Sequence, residues 1–423
     1  MSHRLEISVK SNRVGIHVIG ASLVIIASAG AVFAQAASES LPVFVASKIL
    51  PGAALNGPNY EVLPVVRNNG FQNLYTVKVD GRSYTIVGNA MMKVRLQELA
   101  ALERMEQLKR TDVYKDAVIK SATSPLRTAK NFITSPIETT KGVASGIGTM
   151  FSNIGHSLFG GASKYESGVL KTTLGFDAAK RKIAHKFGID PYTSFQPVLN
   201  RLNDISWAGV AGGLTVSAGF RLTPAPAQGV LNVTKTGDAM NRLVRDNTPA
   251  DLKRINASKL RQMGVNEAVA DMFLEHPQYS PTKKTHLVNA LASMGIWNRQ
   301  AFIQRAILVQ NEDMAFFMRR WAEMMAAYHI QVSRVERIVK VGNAPFLQRR
   351  DGKIIGLFPV DHLAWTAEIS NRHATNMNRI ANVAGVTSGE IWIEGTISQK
   401  ARQALESQRW IVKENVAGIL GLN

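Results

Sequence analysis

Apolar and polar residues alternate along "LYTVKVDGRSYTIVG", residues 74–88, on either side of Asp80-Gly81. A two-residue alternation predicts half-buried strands, and Asp-Gly supplies the positive-φ pair of a tight hairpin turn. Residues 60–88 therefore read as β structure. The period then lengthens: Leu96, Leu99, Leu102, Met105 and Leu108 recur every third residue and predict a helix from about 90 to 109. Residues 35–110 thus form a β-hairpin plus helix unit with a structural role.

The next segment, 111–187, is amphipathic. Ser124-Pro125 and Ser135-Pro136 each put a capping side chain before a proline at the first helical position, where its missing N–H costs nothing. Ser135 and Glu138 add capping-box spacing. A helix from Pro136 to Phe159 would be about 36 Å long. On its wheel Ile137, Ala144, Ile147, Met150, Phe151, Ile154 and Leu158 fall within about 140° of arc, opposite a face of Gly, Ser, Thr and Asn. Bulky apolar residues opposite small polar ones suit a helix that senses lipid packing, and equally a helix packed closely on another. "FDAAKRKIAHKFG", 176–188, is a basic amphipathic helix with Phe176, Ile183 and Phe187 against Lys180, Arg181, Lys182 and Lys186, ended by Gly188. Basic helices beside an apolar stripe are what an anionic bilayer selects. The expected lipid or membrane contacts are therefore Ile137, Ile147, Met150, Phe151, Ile154, Leu158, Lys180, Arg181, Lys182 and Lys186, with a solvated basic face and a packed core as the bland alternatives.

Residues 188–330 read as a helical domain. "WAGVAGGLTVSAGF", 207–220, is too short to span a membrane and reads as a buried helix or hairpin; "LTPAPAQG" after it is a linker. "LRQMGVNEAVADMF" and "LASMGIWNRQAFIQ" share Leu-x-x-Met-Gly, with Gly264 and Gly295 expected at helix C-termini. One long helix is expected from Arg299 to His329. Residues 331–423 read as a small α/β domain: strands around an Asp351-Gly352 turn, then strand, helix and strand over 390–416, the helix capped at Thr396 or Ser398. The fold class is α+β, predominantly α-helical.

Charge and the first residues set the compartment. Arg4, Lys10 and Arg13 precede the apolar run "VGIHVIGASLVIIASAGAVFA", and Val32 and Ala34 occupy cleavage-site positions before Gln35. Residues 1–34 thus read as a signal peptide, with an uncleaved anchor as the alternative. The expected location is periplasmic or secreted, with peripheral membrane attachment. The chain has no cysteine, which excludes disulfides, thiol nucleophiles and a lipid-modified cysteine. A formal charge of +19 on 423 residues favours anionic partners. An anionic membrane or lipid and an envelope protein rank above nucleic acid, because no zinc spacing, RNP aromatic pattern or reading helix is present.

Chemistry is sparse. Ser280-Pro-Thr-Lys283 is an S-x-x-K and Lys235-Thr-Gly237 a K-T-G, but their order reverses that of penicillin-binding proteins, and Ser280 before Pro281 reads as an N-cap. No G-x-S-x-G, H-E-x-x-H or Walker loop occurs. His156, His185, His276, His286, His329, His362 and His373 are dispersed; Asp361-His362 with His373, or Glu312 and Glu323 with His329, are the assemblies the fold would have to make. No metal site and no cofactor is expected.

"SPIETTKGVASGIG" and "FGIDPYTS" resemble segments of uncharacterised exported proteins of Gram-negative bacteria. That resemblance implies export and carries no assigned activity, so it transfers no functional residue. The leading expectation is a non-enzymatic periplasmic protein that meets a membrane surface or lipid through 123–187. The alternatives are an exported enzyme acting on an anionic envelope polymer, in a cleft between the helical and α/β domains, and a structural partner of another envelope protein.

Overall fold

The computed structural model describes residues 38–122, 175–213, 235–380 and 383–422. Residues 1–34, the stretch 123–174 and the stretch 214–234 lie outside them. The architecture is α+β, and the body runs from residue 36 to 423 as one unit.

The first part is a six-stranded antiparallel sheet rather than a single hairpin. Its strands are β1 (Val43–Val45), β2 (Asn56–Gly57), β3 (Tyr60–Val62), β4 (Val65–Asn68), β5 (Asn73–Val79) and β6 (Arg82–Val87); the short helix α1 (Ala46–Ile49) follows β1. The turn between β5 and β6 has Asp80 at φ 47° and Gly81 at φ 77°, the two left-handed positions that Asp-Gly predicts. Strand β5 is paired along its whole length with β6 on one side, and with β4 and then β3 on the other. Pro64 lies in the short connection between β3 and β4, and Gly70, at φ 96°, in that between β4 and β5.

Helix α2 (Asn89–Lys109) packs its leucine face on this sheet; Leu96, Leu99, Leu102, Met105 and Leu108 are all buried. With α3 (Asp112–Ala122), α4 (Phe176–Phe187) and α5 (Gln196–Gly212) it closes one hydrophobic core, which includes Tyr75, Val77, Met92, Ile183, Phe187 and Leu202. Gly188 ends α4 at φ 69°, as its sequence position predicts.

A second core joins the helices that follow to the C-terminal sheet. It spans α7 (Pro249–Gln262), α8 (Glu267–Leu274), α9 (Pro281–Met294), α10 (Gln300–Ala306) and α11 (Glu312–Ala327), preceded in sequence by α6 (Lys235–Asp246). Gly264 and Gly295 take φ of 74° and 62° at the ends of α7 and α9, as predicted. The expected long helix 299–329 is two helices. Asn311 is extended and its side chain accepts from the Met314 N–H, so a new helix starts there, with Glu312 and Asp313 favourably placed in its first turn. A π-helical turn, Tyr328–Val332, ends α11.

The C-terminal sheet has the order β13-β11-β9-β8-β7. Strands β7 (Arg337–Val341), β8 (Ala344–Gln348) and β9 (Ile354–Phe358) form an antiparallel meander, while β11 (Gly389–Ile393) and β13 (Trp410–Lys413) run parallel to β9. Helix α13 (Gln399–Glu406), capped by Ser398 on the Ala401 N–H, makes the crossover between β11 and β13. A short parallel pair, β10 (His362–Leu363) and β12 (Thr396–Ile397), and α12 (Ala367–Ile380) complete it. Trp321 of α11 is fully buried against Phe302, Phe317 and Phe358, so the helical and α/β segments share this core. Among the described residues no helix is long and apolar enough to cross a membrane.

Candidate functional site

A cavity of about 340 Å³ opens where α2, α4, α6, α9 and α11 meet the loop 188–195. Its position follows from local rules. Gly188 reverses the chain after α4, and the Asp190 carboxylate then accepts from the Tyr192 N–H at 3.0 Å, an Asx turn that fixes the loop "IDPYTS". The same Asp190 oxygen accepts from the Thr282 hydroxyl at 2.7 Å, which ties the loop to the first turn of α9. Helix α9 starts there because Ser280 accepts from the Lys283 N–H and Pro281 follows.

The first turns of α9 therefore present Thr282, Lys283 and His286 to the cavity. Residues three and four apart share a helix face, so these three stand together. Among the described residues five Lys or Arg side chains line the wall (Arg95, Arg181, Arg245, Lys283 and Arg319) against two carboxylates, Glu98 and Asp190. Several of the cations are internally satisfied. Arg95 donates to Thr193 at 3.3 Å and Ser194 at 3.5 Å and pairs with Glu98; Arg181 donates through Nε to the Arg245 carbonyl at 3.1 Å; Arg245 is forked onto Asp246.

Lys283 differs from them. Its residue is only 9% exposed, and its closest carboxylate among the described residues is its ion-pair partner Glu312 at 3.6 Å, beyond hydrogen-bond length. Burial pushes its ammonium below the ordinary lysine value, with Glu312 pulling the other way and Arg95 adding to the depression. A desolvated cation with spare donors faces the cavity.

His286 carries the second feature. Its Nδ1 lies 3.1 Å from Glu323 Oε1 on α11. Burial alone would raise the Glu323 carboxyl, but Arg319, which donates from Nε at 2.8 Å, together with His286 and Arg320, holds it well below the usual carboxylate range. The carboxylate can only accept, so Nδ1 carries the proton and Nε2 holds a bare lone pair. Burial and then Arg319 lower the imidazole's proton affinity, which keeps it neutral. Nε2 bonds to no described residue and is not sealed from solvent.

The sequence-predicted contacts divide. Ile137, Ile147, Met150, Phe151, Ile154 and Leu158 lie outside the described residues. On α4, Lys182 and Lys186 are exposed, Lys180 is half-buried, and Arg181 is buried, turned inward to the cavity wall. Arg181 therefore does not belong to an outer cationic face. Neither expected histidine assembly forms. His329 meets Arg334 and the Val335 N–H rather than Glu312 or Glu323; His362 pairs with Thr396 and His373 with Gln408, while Asp361 serves the N–H groups of Asn73 and Asn89. The pair that does form, His286 with Glu323, spans 37 residues and two helices, and no local spacing announces it. The cavity itself lies between the N-terminal unit, α4 and the helical region, not between the helical and α/β segments.

A smaller apolar cavity of about 100 Å³ lies between α12 and the C-terminal sheet, lined by Trp365, Phe346, Phe358 and Trp410 among others. Among the described residues no group of three or more His, Asp or Glu could hold a metal ion. No protein-family model, curated protein or solved structure matches the chain.

Proposed function

We infer that the protein is exported, works at the anionic surface of the cell envelope, and binds an oxyanion-bearing ligand in the cavity under α4. The observation that carries this reading is Lys283: a desolvated ammonium at the cavity wall, ion-paired with Glu312 at 3.6 Å and with no carboxylate of the described residues within hydrogen-bond length. A buried charge without a full set of partners is costly, and an incoming phosphate or carboxylate would supply the missing acceptors. The basic balance of the chain and the cationic excess of the wall favour the same ligand sign. The volume suits a small molecule or a lipid head group.

The test is thermal unfolding and calorimetric titration with inorganic phosphate, glycerol phosphate and citrate, alongside co-sedimentation with phosphatidylglycerol and phosphatidylcholine vesicles. Binding to the native state should stabilise it by about 2.7 kcal/mol at about 100 times Kd. Lys283→Gln should remove that stabilisation while the unliganded protein stays folded. Free anions that bind without any vesicle binding would assign the site to a soluble ligand; binding of phosphatidylglycerol vesicles that depends on Lys283 would assign it to a head group. The absence of any shift with all of these ligands, or a shift unchanged in Lys283→Gln, overturns the reading.

A further inference from the structure

We propose that the cavity is hydrolytic, with His286, oriented by Glu323, as the general base that activates water against a carboxylic ester of an anion-bearing molecule. This rests on the reading of the cavity as an oxyanion site and adds a reaction to it.

A general base needs a free lone pair facing a space where substrate can sit, and a second group that fixes its tautomer. His286 lines the cavity, its Nδ1 is committed to Glu323 at 3.1 Å, and its Nε2 is unbonded among the described residues. Glu323 is in turn held by Arg319 Nε at 2.8 Å, with Arg320 3.9 Å from its other oxygen, so the orienting carboxylate is fixed from a second side. Lys283 stands one turn before His286 on the same helix face, with donors to spare. No described hydroxyl bonds to Nε2, so the nucleophile assigned is water.

The step balances. Water adds to the ester carbonyl carbon as its proton passes to Nε2, and the carbonyl π pair moves onto oxygen, where the Lys283 ammonium opposes the new negative charge. The C=O bond then re-forms, the bond to the alcohol oxygen breaks, and Nε2–H gives its proton to that oxygen. Acid and alcohol leave, and the imidazole is again neutral. Glu323 does not touch substrate and is a positioning residue.

Among the described residues the charged and titratable groups around the base are Glu323 and Arg319 on α11, Asp190 and Tyr192 on the loop, Lys283 on its own helix, Arg95 and Glu98 on α2, Arg181 and His185 on α4, and Arg245 on α6. Glu323→Gln removes the one carboxylate bonded to Nδ1. It should therefore displace the pH–rate profile to lower pH, which a purely structural role would not do.

The probes are para-nitrophenyl hemisuccinate, an anionic ester, and para-nitrophenyl acetate, a neutral one. The wild-type protein should hydrolyse the hemisuccinate faster. His286→Gln should lose about 100-fold or more of that rate, the usual worth of a general base, while phosphate still binds. If the variant fails to fold, diethyl pyrocarbonate on the intact protein should modify His286, abolish hydrolysis and be reversed by hydroxylamine. No hydrolysis by the wild type, or undiminished hydrolysis after loss or modification of His286, overturns the proposal and leaves anion binding standing. Hydrolysis that depends on His286 without any anion binding removes the binding reading instead.

Discussion

Asp361 holds two distant parts of the chain together, and its replacement has a calculable cost. Its Oδ2 accepts from the Asn73 N–H at 2.8 Å, and both its oxygens accept from the Asn89 N–H at 3.0 Å. Asn89 opens α2, whose N-cap Gly88 has no side chain to offer, so a carboxylate from beyond β9 performs the capping. Gln72 donates to the Pro359 carbonyl at 2.6 Å and the Asp361 N–H to the Phe71 carbonyl at 2.8 Å, which place that carboxylate. At about pH 5, Asp361→Ala strands two enclosed backbone donors at about 1–3 kcal/mol each, so the loss should be about 2–6 kcal/mol. At about pH 5, Asp361→Asn keeps one acceptor oxygen and should lose about half as much.

The same carboxyl gives a pH signature. Burial raises it from the ordinary 3.8 to about 7, opposed by the Asn73 and Asn89 N–H groups and helped by Glu394. A folded-state value above the unfolded one means that the native protein binds the proton more tightly. That contribution is complete below the unfolded value and is lost as pH rises through the folded one. Between about pH 5 and about pH 8 the wild type should therefore lose about 3 kcal/mol that Asp361→Asn does not lose. Urea unfolding of both proteins across this range reads the difference directly, because the other titrating groups cancel. Parallel curves, or an Asp361→Ala variant as stable as the wild type, would refute the account of Asp361 as the cap of α2.

Two further outcomes are expected. Ser280→Ala should cost about 1 kcal/mol in urea unfolding, the worth of an N-cap, since Ser280 accepts from the Lys283 N–H at 3.2 Å; a fluorophosphonate probe should leave Ser280 unlabelled. Gly395→Ala would put a Cβ 2.1 Å from the Asp361 carbonyl oxygen, where the Thr396 N–H also bonds. It should lower the unfolding free energy by about 1–3 kcal/mol, and an unchanged thermal midpoint would show that the β10–β12 pair can shift freely.

What was legible in the sequence was local. The Asp80-Gly81 turn, the leucine face of α2, the glycine stops after α4, α7 and α9, the Ser280 cap and the β11-α13-β13 crossover each depend on signals within one or two turns of chain. The break between α10 and α11 was equally local, in Asn311-Glu312-Asp313, but apolar residues continue across it and periodicity alone joined the helices. Strands β1 and β2 lie outside the span 60–88 that reads as β, and β3 and β4 are not separable within it, because lengths of two to four residues carry too little alternation. Helix α12 carries its amphipathic pattern over 367–380. The cavity was not legible at all. Its walls run from Met91 to Arg319, and the pairing of His286 with Glu323 is set by how α9 packs on α11. A buried polar network is decided by tertiary geometry, and sequence spacing speaks only for groups on one element.

The basic helix α4 shows why a charge count misplaces a surface. Its Phe176, Ile183 and Phe187 are buried, as the amphipathic pattern requires, yet its cations do not all fall on the opposite side. Arg181 and His185 are four residues apart and both line the cavity, whereas Lys182 and Lys186, one position on, are exposed. One helix thus offers two electrostatic environments, and they respond differently to salt. Exposed lysines lose most of their reach once the screening length falls to about 8 Å at about 0.15 M, while a partly enclosed cation such as Lys283 is screened far less. Anion binding through the outer face of α4 must therefore fade with ionic strength and respond to Lys182→Gln and Lys186→Gln. Binding in the cavity must persist in the same buffer and respond to Lys283→Gln, so a salt titration of these variants separates a membrane-surface role from a ligand held inside.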